Sequence, residues 1–225
     1  MAEIFNLLVA PDADLWASIG LTLLYATAAT LVALIPAMWL AYLLAGDPMA
    51  PRQGLRRLGR DVIHATIALP ALAIGVSLYL ILSEAGPLGF LHATFSPVGL
   101  LIVQIVLALP LVTALFVHVF EQVPPKFAEL AVSCGATPSQ VRVSLIRQSL
   151  PALVSAAGIG WARVIGEVGA AAIVGGNLAG TTRLVPTAMA LEIQHGEFRR
   201  AVGLGLVLLM MAFFGAVTFR LMQRS

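Results

Sequence analysis

Arg163 and Glu167 stand four residues apart inside the otherwise apolar run 152–175, a spacing that brings both side chains onto one face of a helix. A charge held at mid-membrane costs about 2.5–3.5 kcal/mol on insertion scales, so such a pair belongs against protein or in a wet cavity rather than against lipid. Two roles follow: a mutually neutralised brace for a helix bundle, or the lining or gate of a polar pathway. In the same run Gly158, Ala162, Gly166 and Ala170 recur every four residues. They form a smooth stripe along which another helix can approach closely.

Past this run comes Gly175-Gly176-Asn177-Leu178-Ala179-Gly180-Thr181-Thr182-Arg183. A glycine-rich turn exposes backbone N–H groups, and Asn177, Thr181, Thr182 and Arg183 add side-chain donors, a set suited to an oxyanion. An ordinary external turn braced by Arg183 is the alternative. A second concentration of signals lies at 121–151. Pro124 and Pro125 precede a short helix expected over 126–134, with Gly135 at a natural C-terminal position. Thr137-Pro138-Ser139-Gln140 then reads as a capping box opening a second helix that carries Arg142 and Arg147 into Leu150-Pro151. The segment is expected to be a folded docking element, a solvated loop being the alternative.

Other reactive residues are scattered. His64, His92, His118 and His195 show none of the recurrent metal-ligand spacings, and the lone Cys134 permits neither an internal disulfide nor a multi-cysteine metal site. No G-x-S-x-G or H-E-x-x-H is present, which argues against an intramembrane enzyme. No G-x-x-x-x-G-K-[ST] cradle is present either, so any triphosphate held in the P-loop manner sits on another chain. Neither metal nor cofactor is expected.

The elements that position these residues follow from composition. Of 225 residues 60% are hydrophobic and 11% charged, against about 25% charged in soluble domains. Disorder is excluded, a soluble enzyme is disfavoured, and a net charge of +2 is too small to suggest nucleic acid. A bilayer core about 30 Å thick takes roughly 20 apolar helical residues, and five runs qualify: 16–45, 62–83, 98–120, 152–175 and 201–219. The expectation is one all-α integral membrane domain over 1–225, without internal repeats of the solenoid or inverted-transporter kind. Arg52, Arg56, Arg57, Arg60, Lys126, Arg142, Arg147, Arg220 and Arg224 all fall on one side of these runs. By the positive-inside rule that side is cytoplasmic, the amino terminus outside and the carboxyl terminus inside. Arg199 and Arg200 lie at the outer end, where Glu3, Asp12, Asp14, Glu84, Glu192 and Glu197 outweigh them. Met1-Ala2-Glu3-Ile4 lacks a basic leader, so the first span is expected to be retained. Pro36, Pro70 and Pro110 fall within three crossings as kinks. Trp16, Trp39 and Trp161 suit interfacial belts or packing.

Two blocks carry a family resemblance. Glu129, Ala131, Gly135 and the later Leu150-Pro151 resemble the cytoplasmic coupling motif of ABC importer permeases, with Leu130 at the first alanine position and three extra residues before the Leu-Pro pair. Gly166-Glu167-Val168-Gly169-Ala170, Val174-Gly175-Gly176-Asn177, Thr182-Arg183 and Thr187-Ala188-Met189-Ala190-Leu191-Glu192 resemble the permease subunit of tungstate importers. Leu69-Pro70, Gly75, Gly86-Pro87-Leu88-Gly89 and Leu109-Pro110 extend the likeness, and molybdate and sulfate permeases share a looser version. The resemblance implies a type I ABC importer (MetI-like) permease fold with five transmembrane helices, in a bacterial or archaeal inner membrane. It further implies a homodimer whose Glu129, Ala131 and Gly135 helix engages a separate cytoplasmic ATPase, with an extracytoplasmic substrate-binding protein delivering the anion. A molybdate or sulfate permease and an ion-gradient-driven carrier remain as alternatives.

Overall fold

The computed structural model describes residues 13–45 and 53–222, and among them all regular structure is helical. Glu3, Asp12, Arg52 and Arg224, which entered the orientation argument, lie outside the described residues. In chain order the helices are α1 (Ala13–Ala45), α2 (Gln53–Ile67), α3 (Ala71–Leu82), α4 (Pro97–Glu121), α5 (Pro125–Ser133), α6 (Pro138–Ile165), α7 (Gly169–Gly175), α8 (Val185–Gln194) and α9 (Phe198–Met222). A single 3-10 turn at Gly89–Leu91 sits between α3 and α4. Helices α1, α4 and α9 are each long and apolar enough to cross a bilayer, and the bent pairs α2–α3 and α6–α7 raise the number to five.

Helix α4 is the axis of the bundle. Ser96 caps it, its Oγ accepting from the Gly99 N–H at 3.2 Å, and Pro97 occupies the first turn, where a missing N–H costs nothing. Against α4 lies α1, which presents Thr22, Ala26, Ala29, Thr30, Ala33, Ala37 and Ala41, all buried, at spacings of three and four. Lipid tails are as apolar as leucine, so the attraction between these helices comes from dispersion at close approach, and small side chains permit it. The polar members do not break the seam, because Thr22 and Thr30 each donate to the carbonyl four residues back, at 2.6 and 2.7 Å.

Two crossings, those at 62–83 and 152–175, are broken: the first at Pro70, where a kink is expected, and the second at Gly166-Glu167-Val168, where none is. Helices α2 and α3 meet at 97° across Ala68-Leu69-Pro70, and α6 and α7 meet at 64° across Gly166-Glu167-Val168. Pro70 offers no N–H and disfavours helical backbone at Leu69, so it stands at the N-cap of α3 and ends α2 rather than kinking a continuous helix. The breaks are neighbours at one depth. A Cβ built on Gly75, one turn into α3, would lie 2.6 Å from the Cα of Ala170 in α7, and one on Gly169 would meet Leu72 of α3. Ile165 packs in a cluster with Ala108, and Ala170 in one with Leu107, which places the α6–α7 break beside the middle of α4.

The small-residue stripe of the fourth crossing does not act as one surface. A Cβ on Gly158 would meet the Phe219 ring of α9 at 2.7 Å, whereas Ala162 and Gly166 are exposed, and Ala170 lies beyond the bend against Gly75. Trp161 and Phe219, with ring centroids 5.8 Å apart, complete the α6–α9 contact.

The Gly75–Ala170 approach yields the first prediction. Gly75→Val drives two methyl groups into the α7 backbone and costs about 1–3 kcal/mol or more, lowering the thermal unfolding temperature of the detergent-solubilised protein. Gly20→Ala, where nothing lies within 4 Å of the added carbon, leaves it unchanged.

Candidate functional site

The α6–α7 break is held by one side chain. Glu167 is buried, and its two carboxylate oxygens have separate partners: Oε2 accepts from Arg163 Nη1 at 2.8 Å and Oε1 from the Ala170 N–H at 3.1 Å. The carboxylate therefore ties the last turn of α6 to the first turn of α7, at the helix end where negative charge is favoured. Its partner is placed differently. The Arg163 side chain is 43% exposed against 6% for Glu167. Of the two members expected on one polar face, only Arg163 presents an open side chain, since Glu167 has no free face.

Arg163 emerges on a surface unlike the rest of the molecule. Along α6, Ala152, Ile159, Ala162, Arg163 and Gly166 are exposed and Ser155 half-buried, a stripe of small and polar residues with one isoleucine. The outward faces of α1 and α9 carry large apolar side chains instead: Ile35 at 77% exposure, Trp39 at 64%, Leu209 at 67% and Phe213 at 65%. Those suit acyl chains. The α6 face does not, because an arginine at this depth is costly in lipid. The exposed Ala68, Leu69 and Pro70 of the neighbouring break add irregular backbone, which is tolerated at membrane depth only against protein or water.

The turn after α7 turns most of its donors inward, as the reading of it as a turn braced by Arg183 expects. The N–H groups of Thr181, Thr182 and Arg183 all donate to the Leu178 carbonyl, at 3.2, 3.0 and 2.9 Å. Thr182 Oγ1 donates to the Gly175 carbonyl at 2.6 Å and accepts from the Leu178 N–H at 2.9 Å. Arg183 Nε and Nη2 both donate to the Asn177 carbonyl at 3.3 Å, Thr181 Oγ1 donates to Leu178, and Asn177 Nδ2 donates to the Thr187 carbonyl at 3.3 Å. Helix α1 clamps the turn from the side: Tyr25 donates its hydroxyl to the Thr181 carbonyl at 3.3 Å, and Thr22 Oγ1 accepts from the Val185 N–H at 2.9 Å. Sequence reasoning missed Thr22 and Tyr25, for which a hydropathy scan gives no signal.

At the opposite end, α5 is closed as its sequence requires. Gly135 has φ +82°, its N–H donates to the Val132 carbonyl at 2.9 Å, and the Ala136 N–H reaches back to the Ala131 carbonyl at 3.0 Å. This is a Schellman closure, whose left-handed residue glycine fills without strain. Thr137 and Gln140 then form the expected capping box, the Thr137 N–H donating to Gln140 Oε1 at 2.8 Å and the Gln140 N–H to Thr137 Oγ1 at 3.4 Å. Helix α6 runs without interruption from this box through Pro151 into the bundle. Glu129 is exposed and Ala131 half-buried, and beside them Leu130 and Val132 are 68% and 57% exposed. That apolar pair, passed over in the sequence, gives α5 a sticky outer face. Arg60 pairs with Glu121, and Arg142 lies over the Tyr42 ring at 5.8 Å, so the segment's flanks are tied to α2 and α1. Among the described residues no group of three or more His, Cys, Asp or Glu side chains gathers.

The family described as "Binding-protein-dependent transport system inner membrane component" matches residues 37–225. The tungstate uptake system permease protein TupB of Campylobacter jejuni is 36% identical over 159 residues, 71% of this chain and 66% of that protein, leaving about a third of its length unmatched. TupB of Peptoclostridium acidaminophilum is 33% identical over 170 residues, 75% of each chain. The molybdenum transport system permease protein ModB of Haemophilus influenzae is 31% identical over 188 residues, 79% of each chain. In three dimensions the chain is similar to a chain of an inward-facing structure of the MetNI methionine ABC transporter, with a TM-score of 0.70, 18% identity and 93% of both chains covered. That likeness establishes the fold.

The turn gives the second prediction. Thr182→Val strands the Gly175 carbonyl and the Leu178 N–H in a buried setting and costs on the order of 2 kcal/mol, seen as a lower unfolding temperature. Thr181→Val, at an exposed position, changes it little.

Proposed function

Since the chain belongs to the family of binding-protein-dependent transport system inner membrane components, we propose that it is the permease of an ABC importer for an oxyanion, tungstate by preference. Two copies enclose the pathway, a cytoplasmic ATPase drives it, and an extracytoplasmic binding protein delivers the anion to the outer ends of the helices. The reading takes the amino terminus as outside and α5 as cytoplasmic, in agreement with Arg56, Arg57, Arg60, Lys126, Arg142 and Arg147 at one end of the bundle.

The observation that carries it is the open, small-residue face of α6, with Arg163 exposed beside two helix breaks. A surface of this kind at mid-depth needs water or a second protomer against it, and a twofold pair of such faces encloses an aqueous route. Closed twofold assembly is the common solution for a single chain type. The substrate rests on the tungstate permeases at 36% and 33% identity, and the 31% identical molybdate permease supports molybdate as the second reading. Tetrahedral dianions differ chiefly in size, and the delivering protein selects among them.

Within this reading, Glu129, Leu130, Ala131 and Val132 of α5 seat in a groove of the ATPase, and Gly135 fixes the angle at which α5 meets α6. Because α6 is continuous from Pro138 to Ile165, a displacement of α5 reaches the Arg163 region along one rigid rod. The outer turn, with Asn177, Thr181, Thr182 and Arg183, serves as a fixed frame rather than as a donor set.

The expected outcome is ATP-dependent tungstate uptake by the assembled transporter. Glu129→Arg and Leu130→Asp, both at exposed positions, leave membrane insertion intact and lower ATPase copurification about tenfold or more, as misplaced charge at an interface does. Wild-type copurification by both variants overturns the coupling assignment.

A further inference from the structure

The pair at the α6–α7 break divides its labour in a way that neither the sequence motif nor the relatives' names express. A guanidinium has five N–H donors, and only Nη1 of Arg163 is engaged, by Glu167 Oε2 at 2.8 Å. Among the described residues no other protein acceptor meets it. The Arg163 side chain is 43% exposed, on the α6 face that also carries Ser155, Ala162 and Gly166, where side chains are small. A Cβ added at Gly166 has nothing within 4 Å.

Glu167 can neither turn toward that face nor leave its post without cost. Its carboxylate is nearly fully buried, holds the Ala170 N–H at 3.1 Å and stands between Arg163 and the first turn of α7. It fixes the guanidinium from behind while the front stays unpaired. It also makes the pair neutral overall, which lets an arginine reside at the depth of Leu107 and Ala108.

We propose that Arg163 is the oxyanion's point of contact midway through the pathway and that Glu167 is its positioning residue. A tetrahedral oxyanion leaving the delivery site must shed much of its hydration in a narrow passage. A planar guanidinium that is fixed and half-solvated can replace that hydration with two parallel N–H···O bonds. The carboxylate behind it holds the attraction in check, so that the anion is passed on rather than retained. In a twofold assembly each protomer contributes one Arg163, giving two contacts at the same depth.

This inference rests on the permease reading, and the experiment separates the two. The full transporter, permease with its ATPase and binding protein, is reconstituted in proteoliposomes, and tungstate uptake and ATP hydrolysis are measured together with saturating binding protein. Arg163→Gln is expected to assemble with its ATPase, and tungstate moved per ATP hydrolysed falls about tenfold or more, the factor that loss of a charge-assisted contact gives. Arg163→Lys, which retains the ion pair and safeguards against misfolding, falls about threefold to tenfold because an ammonium cannot make the paired contact. Glu167→Gln slows uptake and lengthens tungstate retention by the permease–ATPase complex, measured by equilibrium dialysis without the binding protein, whereas a bracing role alone leaves retention unchanged. Wild-type tungstate moved per ATP in both Arg163 variants, or equal loss of hydrolysis and uptake in both, overturns the contact role. Unchanged retention in Glu167→Gln overturns the positioning role. Wild-type protein that moves no tungstate with ATP overturns the permease reading itself.

Discussion

A backbone interrupted in the middle of a bilayer has to satisfy its N–H and C=O groups inside the protein or with trapped water, because lipid offers neither donor nor acceptor. This protein is interrupted twice at one depth, at Ala68-Leu69-Pro70 and at Gly166-Glu167-Val168, with Gly75 and Ala170 in contact beside them. The Glu167 carboxylate meets the constraint at the second break, taking the Ala170 N–H on one oxygen and Arg163 on the other. The Glu167 carboxylate thereby spans the 64° bend from the last turn of α6 to the first turn of α7.

The chemistry of the exposed faces follows. Helices α1 and α9 show large apolar side chains outward, and α6 shows alanine, serine, glycine and arginine. The difference cannot come from packing within one copy, since all three faces are unpartnered there; large apolar side chains suit lipid, and a face bearing an arginine does not. The ends of the bundle differ as well. The turn after α7 is closed by its own hydrogen bonds and by Tyr25 and Thr22 of α1, whereas the opposite end projects α5 with Leu130 and Val132 uncovered.

Much of this was legible where the signal is local. The capping box at Thr137 and Gln140, the left-handed Gly135 and the meeting of Arg163 with Glu167 each depend on a few residues in a fixed frame, and each stands in the structure as the sequence predicts. The breaks were not legible as breaks. Pro70 signals a kink but carries no information on a 97° bend, and Gly166 within an apolar run reads as a packing residue. The turn after α7 was open to two readings for a related reason: its donors are real, but whether they face solvent or the Leu178, Gly175 and Asn177 carbonyls is decided by the fold of the whole turn. The alanine seam of α1 escaped a reading centred on hydropathy, which scores alanine and leucine alike although only alanine lets α4 approach.

The most direct test of the account is the wetness of the α6 face. With Cys134, exposed at the end of α5, replaced by serine, single cysteines at Ala162, Gly166, Leu209 and Phe213 are treated in native membranes with a water-soluble, membrane-impermeant maleimide, which reacts only with a hydrated thiolate. The account predicts modification at positions 162 and 166, altered by ATP and binding protein, with positions 209 and 213 inert. Protection at 162 and 166 in every condition, or equal reaction at all four positions, would contradict it.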